Sequence, residues 1–321
     1  MSTRDVFLAK IERLNRKVWE GRAGEPTLGS WLANFTGKAG QKEKEQLHAL
    51  YLLSQFMYFG NRQMRELVRA LYRDLFRYPI IEAVRRSNGD TTDVAFIQQR
   101  FEEKLGRARF LGVGNPSESG CHLLYYYRQM NSLPKDFFIH GHQIFRGRRR
   151  SRKTRLRLPE VDHYVFIDDF CGSGETGEDC ANTIVADIKS LNKKVRVDYH
   201  SIFGCKHGLD RVRRRGLFDS VEAVVELDES FRCFGRKSRY FISAPRGVTK
   251  RDARNLCETY GKSVLPHAPL GFDDCQLLLA FHHNTPDNTL PIFWAGESES
   301  PTWHPIFSRY QKLYFSWKPQ P

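Results

Sequence analysis

The sequence predicts an α/β protein, a parallel sheet flanked by helices with a helical extension ahead of it. Three observations carry this. From about residue 108 short β-rich runs alternate with helical stretches, as a sheet covered by helices requires. Before residue 108 apolar residues recur at helical spacing. And one apolar run, Tyr164 to Ile167, passes into a glycine-rich turn and then a helix, the unit that places ligands beyond the carboxyl ends of parallel strands.

Taken in order, the helical extension spans residues 1–107. Val6, Leu8, Ile11, Leu14 and Val18 mark its first helix, Leu47, Leu50, Leu53 and Phe56 a second, and Leu67, Leu71 and Leu75 a third. Gly60-Asn61 separates two of them, Pro79 is expected to end or kink another, and Thr91-Thr92-Asp93 is placed to cap the next. The second region, 108–321, is an α/β domain with an aromatic tail. Strands are expected at 109–113, 137–145, 164–167, 195–202, 221–227 and 276–282. Helices are expected at about 119–130, 174–191, 207–215 and 249–261. In the tail, Trp303, Phe307, Tyr310, Tyr314, Phe315 and Trp317 are expected to pack on the body.

The 321 residues and 40% hydrophobic content suffice for a sizeable core. Charges at Arg4, Asp5, Lys10, Glu12 and Arg13 break up the amino-terminal turns, so no secretory leader is expected. No apolar run approaches the roughly 20 residues of a membrane helix. The seven cysteines are odd in number and lack Cys-x-x-Cys spacing, which argues for reduced thiols and a cytoplasmic, soluble protein without membrane contact. A net charge of +14 favours an anionic partner.

The most informative segment is Asp168-Asp169-Phe170-Cys171-Gly172-Ser173-Gly174-Glu175-Thr176. Two carboxylates at the end of a buried strand are costly unless used. Asp168 and Asp169 suit ribose hydroxyls or a magnesium ion, and are the candidate catalytic and metal-holding residues. Gly172, Ser173, Gly174, Glu175 and Thr176 offer amides, hydroxyls and a helix start to a phosphate. An earlier loop, Asn115-Pro116-Ser117-Glu118-Ser119-Gly120, stands between a strand and a helix and is the candidate pyrophosphate site.

The acid pair, three further residues and Ser173-Gly174-Glu175-Thr176 resemble the signature of phosphoribosyltransferases position for position. Asp168, Phe170, Gly172 to Gly174 and Thr176 also resemble the cofactor loop of DNA methyltransferases, with Asp169 in place of a proline. The Asn/Asp-Pro-Pro-Tyr/Phe segment of that second family is missing, Asn284-Thr285-Pro286 being a weak echo. Pro116 to Gly120, Phe166 to Gly174, Gly271 to Gln276 and His283 to Trp294, in order, are similar to the phosphoribosyltransferase-like proteins of bacterial conflict systems. This resemblance implies a phosphoribosyltransferase-like fold and a phosphoribosyl pyrophosphate or nucleotide ligand with magnesium. It also implies a setting in anti-phage defence, with a retron reverse transcriptase and an ATPase or nuclease as partners. The acceptor side would be Phe272, Asp273, Asp274 and Gln276.

Between residues 146 and 157 stand eight cations. A cation here can close over pyrophosphate, yet eight exceed that need. Arg148, Arg149, Arg150, Arg152 and Lys153 are therefore the candidate nucleic-acid contacts. Arg211, Arg213, Arg214 and Arg215 form a second basic run, equally compatible with an exposed helix face. Three functions stay open: an enzyme using phosphoribosyl pyrophosphate, a non-catalytic nucleotide sensor docked on nucleic acid, and an S-adenosylmethionine-dependent methyltransferase.

Overall fold

A computed structural model describes residues 2–114, 119–147, 154–296 and 302–309, without the side chains of 119–122. In chain order the helices are α1 (Thr3–Lys17), α2 (Glu25–Ala33), α3 (Lys42–Ser54), α4 (Asn61–Tyr72), α5 (Tyr78–Ser87), α6 (Val94–Gly106), α7 (Ser119–Met130), α8 (Glu175–Cys180), α9 (Ala186–Leu191), α10 (Lys206–Arg214) and α11 (Lys250–Val264). The strands are β1 (Met57–Phe59), β2 (Ala108–Gly112), β3 (Phe145–Arg146), β4 (Arg155–Leu156), β5 (His163–Cys171), β6 (Arg196–Cys205), β7 (Ser220–Leu227) and β8 (Leu279–Phe281).

Contacts divide the chain into two compact units: residues up to Asn61 together with those from Glu229 onward, and residues Arg62–Asp228. This grouping differs from sequence order, in which 1–107 reads as one helical region. The reason is a long-range pairing: β1 lies parallel to β8, with Tyr58 beside Ala280. The apolar stripes of α1, α2 and α3 bury with α11 and the 290–295 segment around Trp31, Phe35, Tyr260 and Phe293. The described part of the aromatic tail packs here too, Phe307 stacking on Phe56 and Tyr58 and Trp303 meeting Phe35. Tyr310, Tyr314, Phe315 and Trp317 lie outside the described residues.

The second unit holds a four-stranded parallel sheet in the order β2-β5-β6-β7. Its central strands β5 and β6 are buried along almost their whole length, as expected where both faces are covered. On one face Phe76, Phe110 and Tyr127 form an aromatic layer, with Phe76 5.0 Å from Phe110 and Phe110 5.3 Å from Tyr127. On the other, Val185, Ile188, Leu209 and Val212 pack against Phe166, Val197 and Tyr199.

One local expectation is corrected and a second is refined. The run at 137–145 is not a strand until its last residue, Phe145, opens β3: it holds 3₁₀ turns at Lys135–Phe137 and Gly141–Gln143, and only Phe138 bridges to the four-stranded sheet, opposite Phe110. The stretch His140-Gly141-His142-Gln143 lacks the alternation a strand needs, and Gln143 instead accepts from the His140 amide at 2.8 Å. At Pro79 the helix does not end, but its regular α geometry is interrupted just before it. A π-helical segment, Arg73–Arg77, stands immediately before it, and that widened turn accommodates the proline, which has no N–H to give and whose ring crowds the preceding turn. Asp93 does cap α6, accepting from the Phe96 amide at 3.1 Å. Among the described residues no helix is long and apolar enough to cross a membrane.

Candidate functional site

The acid pair lies on β5 in the middle of the parallel sheet. It is not at the strand's end: β5 continues to Cys171, with Asp168 beside Ser201 and Cys171 beside Gly204 of β6. The long neighbour β6 supplies the ladder partners. Tyr199 Oη donates to Asp168 Oδ2 at 2.7 Å, and the Asp169 amide donates to Asp168 Oδ1 at 2.9 Å. Both acids are buried. Burial, then the neighbouring charge of Asp169, push Asp168 well above the ordinary carboxylate range, and the Tyr199 hydrogen bond pulls the other way. Among the described residues no Lys, Arg or His forms an ion pair with Asp168. Burial also raises the Cys171 thiol, to about 12, so it is no nucleophile.

After β5 the chain turns through Gly172 to Gly174 and enters α8. Gly174 has φ +81°, a left-handed value, and a methyl group on it would meet the carbonyl of Gly208 on α10. Gly208 in turn abuts the Gly172 carbonyl. These glycines therefore let the turn and α10 touch backbone to backbone. The first turn of α8 carries amides without helical acceptors. Ser173 Oγ accepts from the Glu175 amide at 3.4 Å, and Glu175 and Thr176 are exposed.

Two acids in the first turn of this helix, Glu175 and Glu178, pair with arginines of the α10 segment. Arg211 Nε meets Glu178 Oε2 at 2.5 Å, Arg211 Nη1 meets Glu175 Oε1 at 3.4 Å, and Arg215 pairs with Glu178. Burial alone would raise Glu178, but Arg215 and Arg211 outweigh it and hold its carboxyl below the ordinary value. Arg213 is likewise spent, on Asp210 at 3.0 Å and Glu226 at 3.3 Å. Three of the four arginines of the second basic run are thus balanced by local acids.

Asn115, Pro116, Ser117 and Glu118 lie outside the described residues, and Ser119 and Gly120 open α7. Arg148, Arg149, Arg150, Arg152 and Lys153 also lie outside them. Phe272, Asp273, Asp274 and Gln276 belong to the first unit, whereas the acid pair belongs to the second. They form a strained turn: Asp273, Asp274 and Gln276 have φ of 54°, 49° and 55°. Each left-handed non-glycine residue costs on the order of 1 kcal/mol. The turn is held by Arg232, which pairs with Asp274, and by the buried Gln276, which accepts from the Phe234 amide at 2.8 Å and donates to Asp274 at 2.9 Å. Phe272 and Asp273 are left exposed.

Tyr199, Gly208, Arg211 and Arg215 were not legible as site residues. Each comes from an element later in the chain, and only the fold brings it to the acid pair or the turn. A protein-family model described as PRTase-CE matches residues 28–309, a span that includes the acid pair, the glycine turn and the strained turn. No curated protein matches the chain.

Proposed function

The chain belongs to the PRTase-CE family, and on that premise we propose that this phosphoribosyltransferase-like protein binds phosphoribosyl pyrophosphate or a nucleotide at the acid pair. The observation that carries the reading is the buried, contiguous Asp168–Asp169 pair, in which Asp168 is pushed toward its protonated form, one turn ahead of a helix start where Glu175 and Glu178 pair with arginines.

The residues fit a magnesium ion. Two carboxyls in contact, one pushed toward its protonated form, gain when a hard divalent cation replaces the proton. Asp168 and Asp169 would hold it, and the ion would neutralise phosphate charge. Tyr199 fixes the Asp168 carboxyl, and the opening amides of α8 would receive a sugar phosphate. Displacement at the anomeric carbon breaks the bond to pyrophosphate through an oxocarbenium-like state, so alignment and leaving-group stabilisation suffice. The family resemblance supports an effector role in a bacterial anti-phage system with retron-encoded partners.

The test is pyrophosphate release from phosphoribosyl pyrophosphate with magnesium, with and without nucleobases. Release is expected from the wild type and a loss of at least a hundredfold in Asp169→Asn. Magnesium-dependent binding without release identifies a nucleotide sensor instead. Binding of S-adenosylmethionine in place of the phosphoribosyl donor overturns the assignment.

A further inference from the structure

The hairpin of β3 and β4 has two unlike sides. Its inner side is apolar: Phe145 is buried and lies opposite Leu156, which packs on the same core as Ile144 and Val161. Its outer side sets Arg146 directly opposite Arg155, both exposed, and Arg157 follows two residues on, also exposed. The ribbon is closed beyond this pair by the Arg157 amide donating to the Ile144 carbonyl at 2.8 Å.

Like charges directly opposite on an antiparallel ribbon repel at Cβ separations of roughly 5 Å. The usual remedy is an acid nearby, as Arg211, Arg213 and Arg215 show on α10. Among the described residues none of Arg146, Arg155 and Arg157 has an ion-pair partner. Three exposed arginines on a ribbon whose backbone is anchored by Phe145 and Leu156, with no acid among the described residues to balance them, call for an anion from outside.

We propose that the outer face of the β3–β4 ribbon, through Arg146, Arg155 and Arg157, docks the phosphate backbone of a nucleic-acid duplex. A two-stranded ribbon fits a duplex groove, and arginine pairs bidentately with phosphate. Arg157 stands two residues on from the opposed Arg146–Arg155 pair, so the positive charge extends along the chain, which suits a run of phosphates better than one pyrophosphate. The inference does not depend on the reading of the acid pair.

The test is fluorescence anisotropy of a labelled duplex of about 20 base pairs, titrated with the full chain at several salt concentrations. Binding is expected to weaken steeply with salt. The triple variant Arg146→Ala, Arg155→Ala, Arg157→Ala is expected to reduce the log–log salt slope by about two to three. Its melting temperature is expected to stay equal or rise, since a repulsion is removed. The triple lysine variant keeps charge and is expected to keep the slope. Absence of wild-type binding at low salt, an unchanged slope in the alanine variant, or equally tight binding of polyglutamate would each overturn the proposal. Loss of phosphoribosyl pyrophosphate affinity with duplex binding intact would assign the ribbon to the donor site instead.

Discussion

Two buried aspartates on neighbouring strands of one sheet meet opposite fates. Asp198, near the start of β6, accepts from His163 Nε2 at 2.8 Å and from Arg196 Nε at 2.8 Å. Burial alone would raise it, yet His163 and Arg196 hold it below the ordinary range. Asp168, toward the other end of β5, has a tyrosine, an amide and a second acid, and is pushed well above that range. The first carboxylate is complete within the fold. The second is complete only when a proton or a cation joins it, and that difference separates a structural acid from a candidate ligand-binding one.

The comparison can be broken from the Asp198 side. Asp198→Ala leaves a buried His163 and a half-exposed Arg196 without their carboxylate, and is expected to destabilise the chain by about 4 kcal/mol in chemical denaturation. Asp168→Asn, which keeps an acceptor for Tyr199 and removes only a poorly placed charge, should fold at least as well as wild type at neutral pH. Equal losses in both variants would erase the distinction.

The next effect sharpens the structural end of the sheet. His200 is fully buried beside Asp198, its Nε2 3.9 Å from Asp198 Oδ2, and neither ring nitrogen has a hydrogen-bond partner. Burial drives it down to about 4, with His163 and Arg196 pushing the same way and Asp198 opposing. A depressed histidine contributes stability above its unfolded value that is lost as pH falls toward the folded one. Between pH 6.5 and about 4 the loss should approach about 3 kcal/mol. Stability measured across that window should be flatter in His200→Leu; parallel curves for the two proteins would refute the assignment.

How much of this was readable beforehand depends on the range of the interaction. β2, β5, β6 and β7 are apolar runs between turn signals, and α10 and α11 follow the apolar periodicity, so local sequence suffices for them. The acid pair and glycine turn were visible as a motif. The pairing of β1 with β8 was not, because no local pattern records which distant strand is a neighbour. Nor was the extension of β5 past its acids, since the hydroxyl of Tyr199 comes from the next strand. Gly174 looked like a concession to a phosphate; its contact with Gly208 shows a packing demand as well. The second basic run looked free until Glu175, Glu178, Asp210 and Glu226 came into range.

The central claim is that the Asp168–Asp169 pair awaits a cation with a sugar phosphate. Isothermal titration calorimetry of phosphoribosyl pyrophosphate tests it most directly, with and without magnesium at pH 7 and pH 8. The account predicts binding that requires magnesium, releases protons, tightens with pH, and weakens at least tenfold in Asp169→Asn. Binding of equal strength without magnesium, or in the folded Asp169→Asn variant, would contradict it.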